Sequence, residues 1–138
     1  MSKIVRFGVS LEKKLLDGFD KLISDSRYSN RSEAIRDLIR ARLVDEQWTR
    51  GREVVGTINI VYNPHKRDLS GLLTRIQHKF HHLIIASQHI HMDHDNCLEI
   101  VAVKGKPKEV RQLAEGLKGV KGVKHSSLAM STSGKGLV

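Results

Sequence analysis

The sequence predicts an α+β protein in two parts, a strand–helix–turn–helix segment over residues 1–50 and a β-α-β-β-α-β segment over residues 51–138. Three observations carry this. Apolar residues alternate over 4–10 and then recur twice at helical spacing before residue 45. A polar stretch from Asp45 to Arg52, with Gly51 near its end, interrupts the pattern. Beyond it, β-branched runs and helical stripes follow one another in the ferredoxin-like order.

Each element has its own reason. In Ile4–Ser10, read as a strand, Phe7, Val9 and Leu11 share one face, and Arg6, Gly8 and Ser10 the other. Leu11, Leu15, Leu16, Phe19, Leu22 and Ile23 make the stripe of a first helix. Ser26–Asn30 breaks it. Asn30 is placed to cap a second helix, with Glu33 at capping-box spacing and Ile35, Leu38, Ile39 and Leu43 turned inward. In the second part, Val54–Tyr62 reads as a strand stopped by Pro64. Asp68 can cap a helix that buries Leu69, Leu72, Leu73, Ile76 and Phe80. Leu83–His91 and Cys97–Val103 read as strands about the polar turn Asp93–Asn96. Pro107 opens a helix through Val110, Leu113, Ala114 and Leu117, and Val123–Met130 is the last strand. The tail 131–138 is expected to fray.

A first part of about 50 residues is too small to build a good core alone, so oligomerisation is the expected remedy. Lys and Arg outnumber Asp and Glu by 24 to 15, which permits a polyanionic partner without identifying one. The single cysteine, Cys97, excludes an intramolecular disulfide framework and suits a reducing compartment. No apolar run has the length of a membrane span and no signal-peptide core opens the chain, so a cytoplasmic protein without membrane partners is expected.

Histidine is the unusual residue. Six of the eight lie between positions 78 and 94, and that clustering asks for a chemical reason. His89 and His91, one residue apart in a strand, project from the same face. Cys97 returns beside them on the next strand. Two imidazoles and a thiolate on one hairpin supply three parts of a transition-metal site. His78, on the preceding helix about half a turn from its core stripe at ~100° per residue, points outward. It could complete the site only at a subunit interface or through a local bend. Thiolate with imidazole admits Zn, Cu or Ni, and the spacing does not choose among them.

Asn30-Arg31-Ser32-Glu33-Ala34-Ile35-Arg36-Asp37, Lys66-Arg67-Asp68-Leu69, Gln77-His78 and His89-x-His91-x-x-His94-x-x-Cys97-Leu98-Glu99-Ile100 carry a family resemblance over essentially the whole chain. The chain resembles the nickel-responsive transcriptional regulators of the ribbon-helix-helix superfamily. The resemblance implies an N-terminal ribbon-helix-helix DNA-binding domain and a C-terminal ferredoxin-like (ACT-type) metal-binding domain. It implies a homotetramer, a dimer of dimers with the metal-binding domains at its centre. One square-planar Ni(II) per subunit is implied, bound by His89, His91 and Cys97 of one subunit and His78 of a neighbour. A repressor of nickel uptake genes, tightened on its operator by nickel, is the implied function. Glu33 and Asp37, one helical turn apart, are implied to join a second cation site, with a solvated acidic edge as the alternative.

In such a dimer the paired strands enter the major groove of a palindromic double-stranded operator. Arg6, Gly8 and Ser10 occupy the face that reads bases; Gly8 stands where relatives often carry a small hydroxyl residue, and Ser10 serves equally as a first-helix cap. Asn30, Arg31 and Ser32 at a helix N-terminus, with Lys66 and Arg67, suit phosphate contacts. Gln77, His94 and Glu99 are expected around the metal ligands rather than on the ion. Two rivals remain. One is a repressor of the same fold sensing another metal or a small organic effector. The other is a zinc enzyme, disfavoured because no general base faces a substrate pocket.

Overall fold

The computed structural model describes residues 3–138 and divides into two compact units, residues 1–43 with 136–138, and residues 44–135. The two are taken separately.

The first unit contains α1 (Lys13–Asp25) and the beginning of α2 (Arg31–Thr49). The helix break is built as expected around Asn30, whose Oδ1 accepts the Glu33 amide at 2.9 Å. Glu33 reaches back to the amide of Ser29 at 3.2 Å, one residue before the position a strict capping box uses. α1 ends with Arg27 at φ 62°, its amide on Ser24 O and that of Tyr28 on Ile23 O, the Schellman pattern with arginine where glycine is usual.

The expected strand over 4–10 is not formed: the backbone from Lys3 to Glu12 has no regular structure, because a lone strand has nothing in one chain to pair with. The helix starts at Lys13 with Glu12 at its cap position, so Ser10 is not the N-cap. Phe7 is 71% exposed and Leu15 63%, and Val9, Leu22, Leu38 and Ile39 are also exposed. In this unit only Ile23 and Ala34 are buried among the described apolar side chains. So few residues cannot close a core by themselves.

The second unit follows the order β1 (Val54–Tyr62), α3 (Leu69–Lys79), a 3-10 turn (His81–Leu83), β2 (Ile84–Asp93), β3 (Asn96–Gly105), α4 (Pro107–Lys118) and β4 (Val123–Met130). The strands form one sheet in the order β2-β3-β1-β4, every neighbouring pair antiparallel. That order is the ferredoxin-like one expected. Burial alternates along β1 and β3, so one sheet face is inside. Ile58, Ile60, Val101 and Val103 from that face pack with Leu73 of α3 and Val110, Leu113 and Leu117 of α4. Asp68 does precede α3, but it sits at φ 63° and its side chain makes no cap bond. Among the described residues no helix is long and apolar enough to cross a membrane.

The tail does not fray throughout. Ser131 continues beyond β4 with its amide on Val55 O at 2.9 Å, and Trp48 Nε1 donates to Ser131 O at 2.9 Å.

Candidate metal centre

The hairpin β2–β3 positions the candidate metal-ligating side chains. From Ala86 to His91 the register is regular, placing His91 directly opposite Cys97 and His89 directly opposite Glu99. Directly paired residues point to the same side of a sheet. Cys97 and Glu99 lie on the buried face with Val101 and Val103, so both imidazoles share that face. Their strand is the sheet edge, and His89 accordingly stays half-exposed while Cys97 and Glu99 are covered.

Glu99 is the only buried charged residue among those described, and a buried carboxylate demands partners. It has three. Gln77 Nε2 donates to Oε1 at 2.8 Å, Tyr62 OH donates to Oε2 at 3.4 Å, and His89 Nε2 lies 3.4 Å from Oε1. Tyr62 OH also stands 3.5 Å from His89 Nδ1, at the outer limit of hydrogen bonding. Burial pushes the Tyr62 phenol far above its usual range, and the neighbouring Glu99 and Cys97 push it further the same way. Tyr62 therefore remains a neutral donor.

Gln77 and Glu99 thus lie beside His89 of the hairpin. His94 sits elsewhere: its ring stacks on His65, with centroids 4.6 Å apart, and its Nδ1 lies 3.1 Å from Asp95 Oδ1. His78 is exposed near the end of α3, its ring 5.8 Å from that of His81. Among the described residues no three His, Cys, Asp or Glu side chains converge tightly enough to hold an ion. One subunit presents a face of donors, and the donor set, two imidazoles and a thiol beside a buried carboxylate, fits a borderline-soft divalent ion. Tyr62 was missed by sequence reasoning. The available signal was a hydroxyl-bearing aromatic closing the otherwise apolar inward row Val54, Ile58, Ile60, paired in register with Cys97.

The DNA-facing candidates are solvent-accessible. Arg6, Gly8 and Ser10 are exposed, as are Asn30, Arg31, Ser32, Lys66 and Arg67. Arg31 is already engaged, donating from Nε and Nη2 to the two oxygens of Asp20 at 2.9 Å each. Glu33 and Asp37 are engaged as well: Asp37 accepts from Tyr28 OH at 2.8 Å and pairs with Arg40 at 3.1 Å.

The model for the NikR C-terminal nickel binding domain matches residues 55–131, and that for ribbon-helix-helix proteins of the copG family matches residues 5–46. A protein of Syntrophus aciditrophicus named as a nickel-responsive regulator is 56% identical over 135 residues, 98% of each chain. A Pelobacter propionicus protein of the same name is 51% identical over 138 residues, 99% of each chain. One from Chlorobium limicola is 52% identical over 134 residues, 97% of this chain and all of that one. Among solved structures, an uncharacterized Thermotoga maritima protein aligns at a TM-score of 0.52 and 12% identity, covering 57% of this chain and 98% of its own, a likeness of fold alone. By a nickel-domain match over more than half its length and relatives matched end to end, the chain belongs to the nickel-responsive regulators of the ribbon-helix-helix family, which are transcription regulators and not enzymes.

Proposed function

We propose that the protein is a repressor in which residues 1–50 read DNA, residues 51–138 read nickel, and occupancy of the metal site raises operator affinity so as to control nickel uptake genes. The observation that carries this reading is the hairpin register, which sets His91 opposite Cys97 and His89 on the same face. These three side chains hold one Ni(II) per subunit, and His78 of a neighbouring subunit, exposed at the end of α3, supplies the fourth ligand. When bound, the ion supplies cross-linking between subunits by coordination. Glu99, fixed by Gln77 and Tyr62, orients the His89 ring.

Two features support a homotetramer built as a dimer of dimers. The exposed Phe7, Val9, Leu15 and Leu22 of the first unit need a partner chain, and pairing of two 4–10 segments supplies the missing strand. The second sheet face, with Val55, Val61, Leu98 and Ile100 half-buried, suits a further contact between copies. The paired ribbon then reads a palindromic operator through Arg6, Gly8 and Ser10, while Asn30, Arg31, Ser32, Lys66 and Arg67 meet phosphates. Glu33 and Asp37 join a second cation site once the Ser29 amide releases Glu33, and Tyr28 and Arg40 release Asp37.

The test is a nickel titration followed by operator binding. A duplex selected from a random pool by the nickel-loaded protein serves as probe. The expected result is thiolate-to-nickel absorption saturating near one ion per chain, and DNA binding that tightens over the same titration. Cys97→Ala abolishes both while the assembly persists on size exclusion. Operator binding indifferent to nickel, or preserved nickel dependence in the variant, overturns the reading.

A further inference from the structure

The segment after β4, Ser-Thr-Ser-Gly-Lys, has the composition of a loose terminus, yet four hydrogen bonds tie it to the rest of the chain. Ser131 uses both backbone groups: its amide donates to Val55 O and its carbonyl accepts Trp48 Nε1, both at 2.9 Å. Thr132 Oγ1 donates to Gln47 Oε1 at 2.9 Å and accepts the Gly134 amide at 3.1 Å. Gln47 Nε2 reaches Lys135 O at 3.5 Å. Gly134, at φ 83°, makes the turn that brings Lys135 back, a conformation glycine adopts without cost.

The side chains being held are the last of α2. Trp48 is 3% exposed and belongs to the core of the second unit. Its indole lies over Gly56, where a Cβ would come within 3.2 Å of the ring and 2.8 Å of Ala129 O. The Arg111 guanidinium covers the indole, 5.7 Å from the ring centroid. Indole N–H is a donor with one bond to give, and its acceptor is a backbone carbonyl of the terminal segment.

We propose that Ser131–Lys135 is a latch on the last turn of α2, and that the response of α2 to nickel passes through it. α2 runs from Arg31 to Thr49, and the latch holds Gln47 and Trp48 in its last turn. The latch rests on Val55 at one end of β1, and at the other end of the same strand Tyr62 pairs with Cys97. The second half of this proposal rests on the nickel-dependent DNA binding proposed above; the first half, that the segment is held, does not.

The experiment uses full-length Trp48→Phe, which keeps an aromatic ring and removes the donor, with Thr132→Val and Gln47→Ala as variants at half-buried positions outside the core. Hydrogen exchange of residues 131–136 and affinity for the selected duplex, with nickel chloride and with chelator, are measured on each. The expected result is exchange of the segment faster by about tenfold, unchanged protection of β1 and β3, one nickel per chain as before, and a nickel-dependent gain in DNA affinity reduced about tenfold. A segment exchanging as in the wild type shows that there is no latch. A loosened segment with the nickel-dependent gain intact shows that the latch transmits nothing. A wild-type protein with no nickel-dependent gain removes the reading beneath the second half, and the exchange data then decide the first half alone. If Trp48→Phe does not fold, the other two variants carry the same three comparisons.

Discussion

Gln77 Nε2 donates to Glu99 Oε1 at 2.8 Å, joining the helix that carries His78 to the strand that carries Cys97. It is the shortest of the contacts to this buried carboxylate, so it governs where Glu99, and through it His89, is held. Gln77→Leu removes the donor and leaves Glu99 with only the long contacts to Tyr62 and His89. The expected outcome is nickel affinity lower by about 10–100-fold with the fold retained, read by isothermal titration, since ligand-orienting partners are worth that much. Glu99→Gln is the companion variant. It keeps shape and burial but removes the negative charge beside His89, and the same direction of change is expected. Equal affinity in both variants and wild type contradicts the orienting role.

The core of the metal-binding unit gives a stability prediction independent of nickel. Leu113 is fully buried among Leu73, Leu117, Val101 and Ile58 in a closed apolar cluster. Leu113→Ala leaves a cavity that α4 and the sheet cannot close fully, costing about 2–5 kcal/mol in denaturant melts of the metal-free protein. Arg27 gives the opposite sign. It occupies the left-handed position of the α1 terminus at φ 62°. Arg27→Gly relieves a strain of about 1 kcal/mol and is expected to raise the melting temperature slightly.

The hairpin was legible in the sequence because a strand repeats every two residues: His-x-His must share a face, and a short turn must return Cys97 beside it. Asn30 was legible for the same kind of reason, a short polar side chain at the one place where amides are free. Four features were not. The 4–10 segment finds no strand to pair with in its own chain, so a pattern that reads as strand stays irregular. Asp68 carries a capping side chain, but its backbone is left-handed where a cap residue is normally extended, and it makes no cap bond. The terminal latch is made largely by backbone carbonyls, which every residue possesses and no sequence pattern marks. His94 has the spacing of a metal-site residue, yet stacking on His65 decides its place, a partner nearly thirty positions away.

Asp20 and Arg31 set a pH and salt prediction. The Arg31 hydrogen bonds hold the Asp20 carboxyl below its ordinary value, and its partner raises the guanidinium correspondingly. A carboxylate whose folded value is depressed contributes stability above its unfolded value and loses it as pH falls through the folded one. Melting temperature is therefore expected to fall on acidification through the aspartate range, and Asp20→Asn flattens that part of the profile. The pair is exposed, so the effect is modest and screened by salt. The same variant frees Arg31 for phosphate. Binding to nonspecific duplex is expected to tighten, with a salt slope steeper by about one.

The subunit origin of the fourth ligand has a decisive test in mixed assemblies. His78→Ala protein lacks the exposed helix ligand but keeps the hairpin; Cys97→Ala protein keeps His78 but loses the hairpin thiol. Neither alone is expected to show thiolate-to-nickel absorption at normal affinity. If His78 serves a neighbour, denaturing and refolding the two together in equal amounts brings an intact hairpin against an intact His78 in about one site of four, by random pairing across a symmetric interface. Absorption and nickel-dependent DNA binding then return in that fraction. If His78 bends inward to its own hairpin instead, every site in the mixture lacks one ligand and nothing returns. The exposure of His78 at the end of α3, with its ring beside His81 and not beside His91 or Cys97, favours the first outcome.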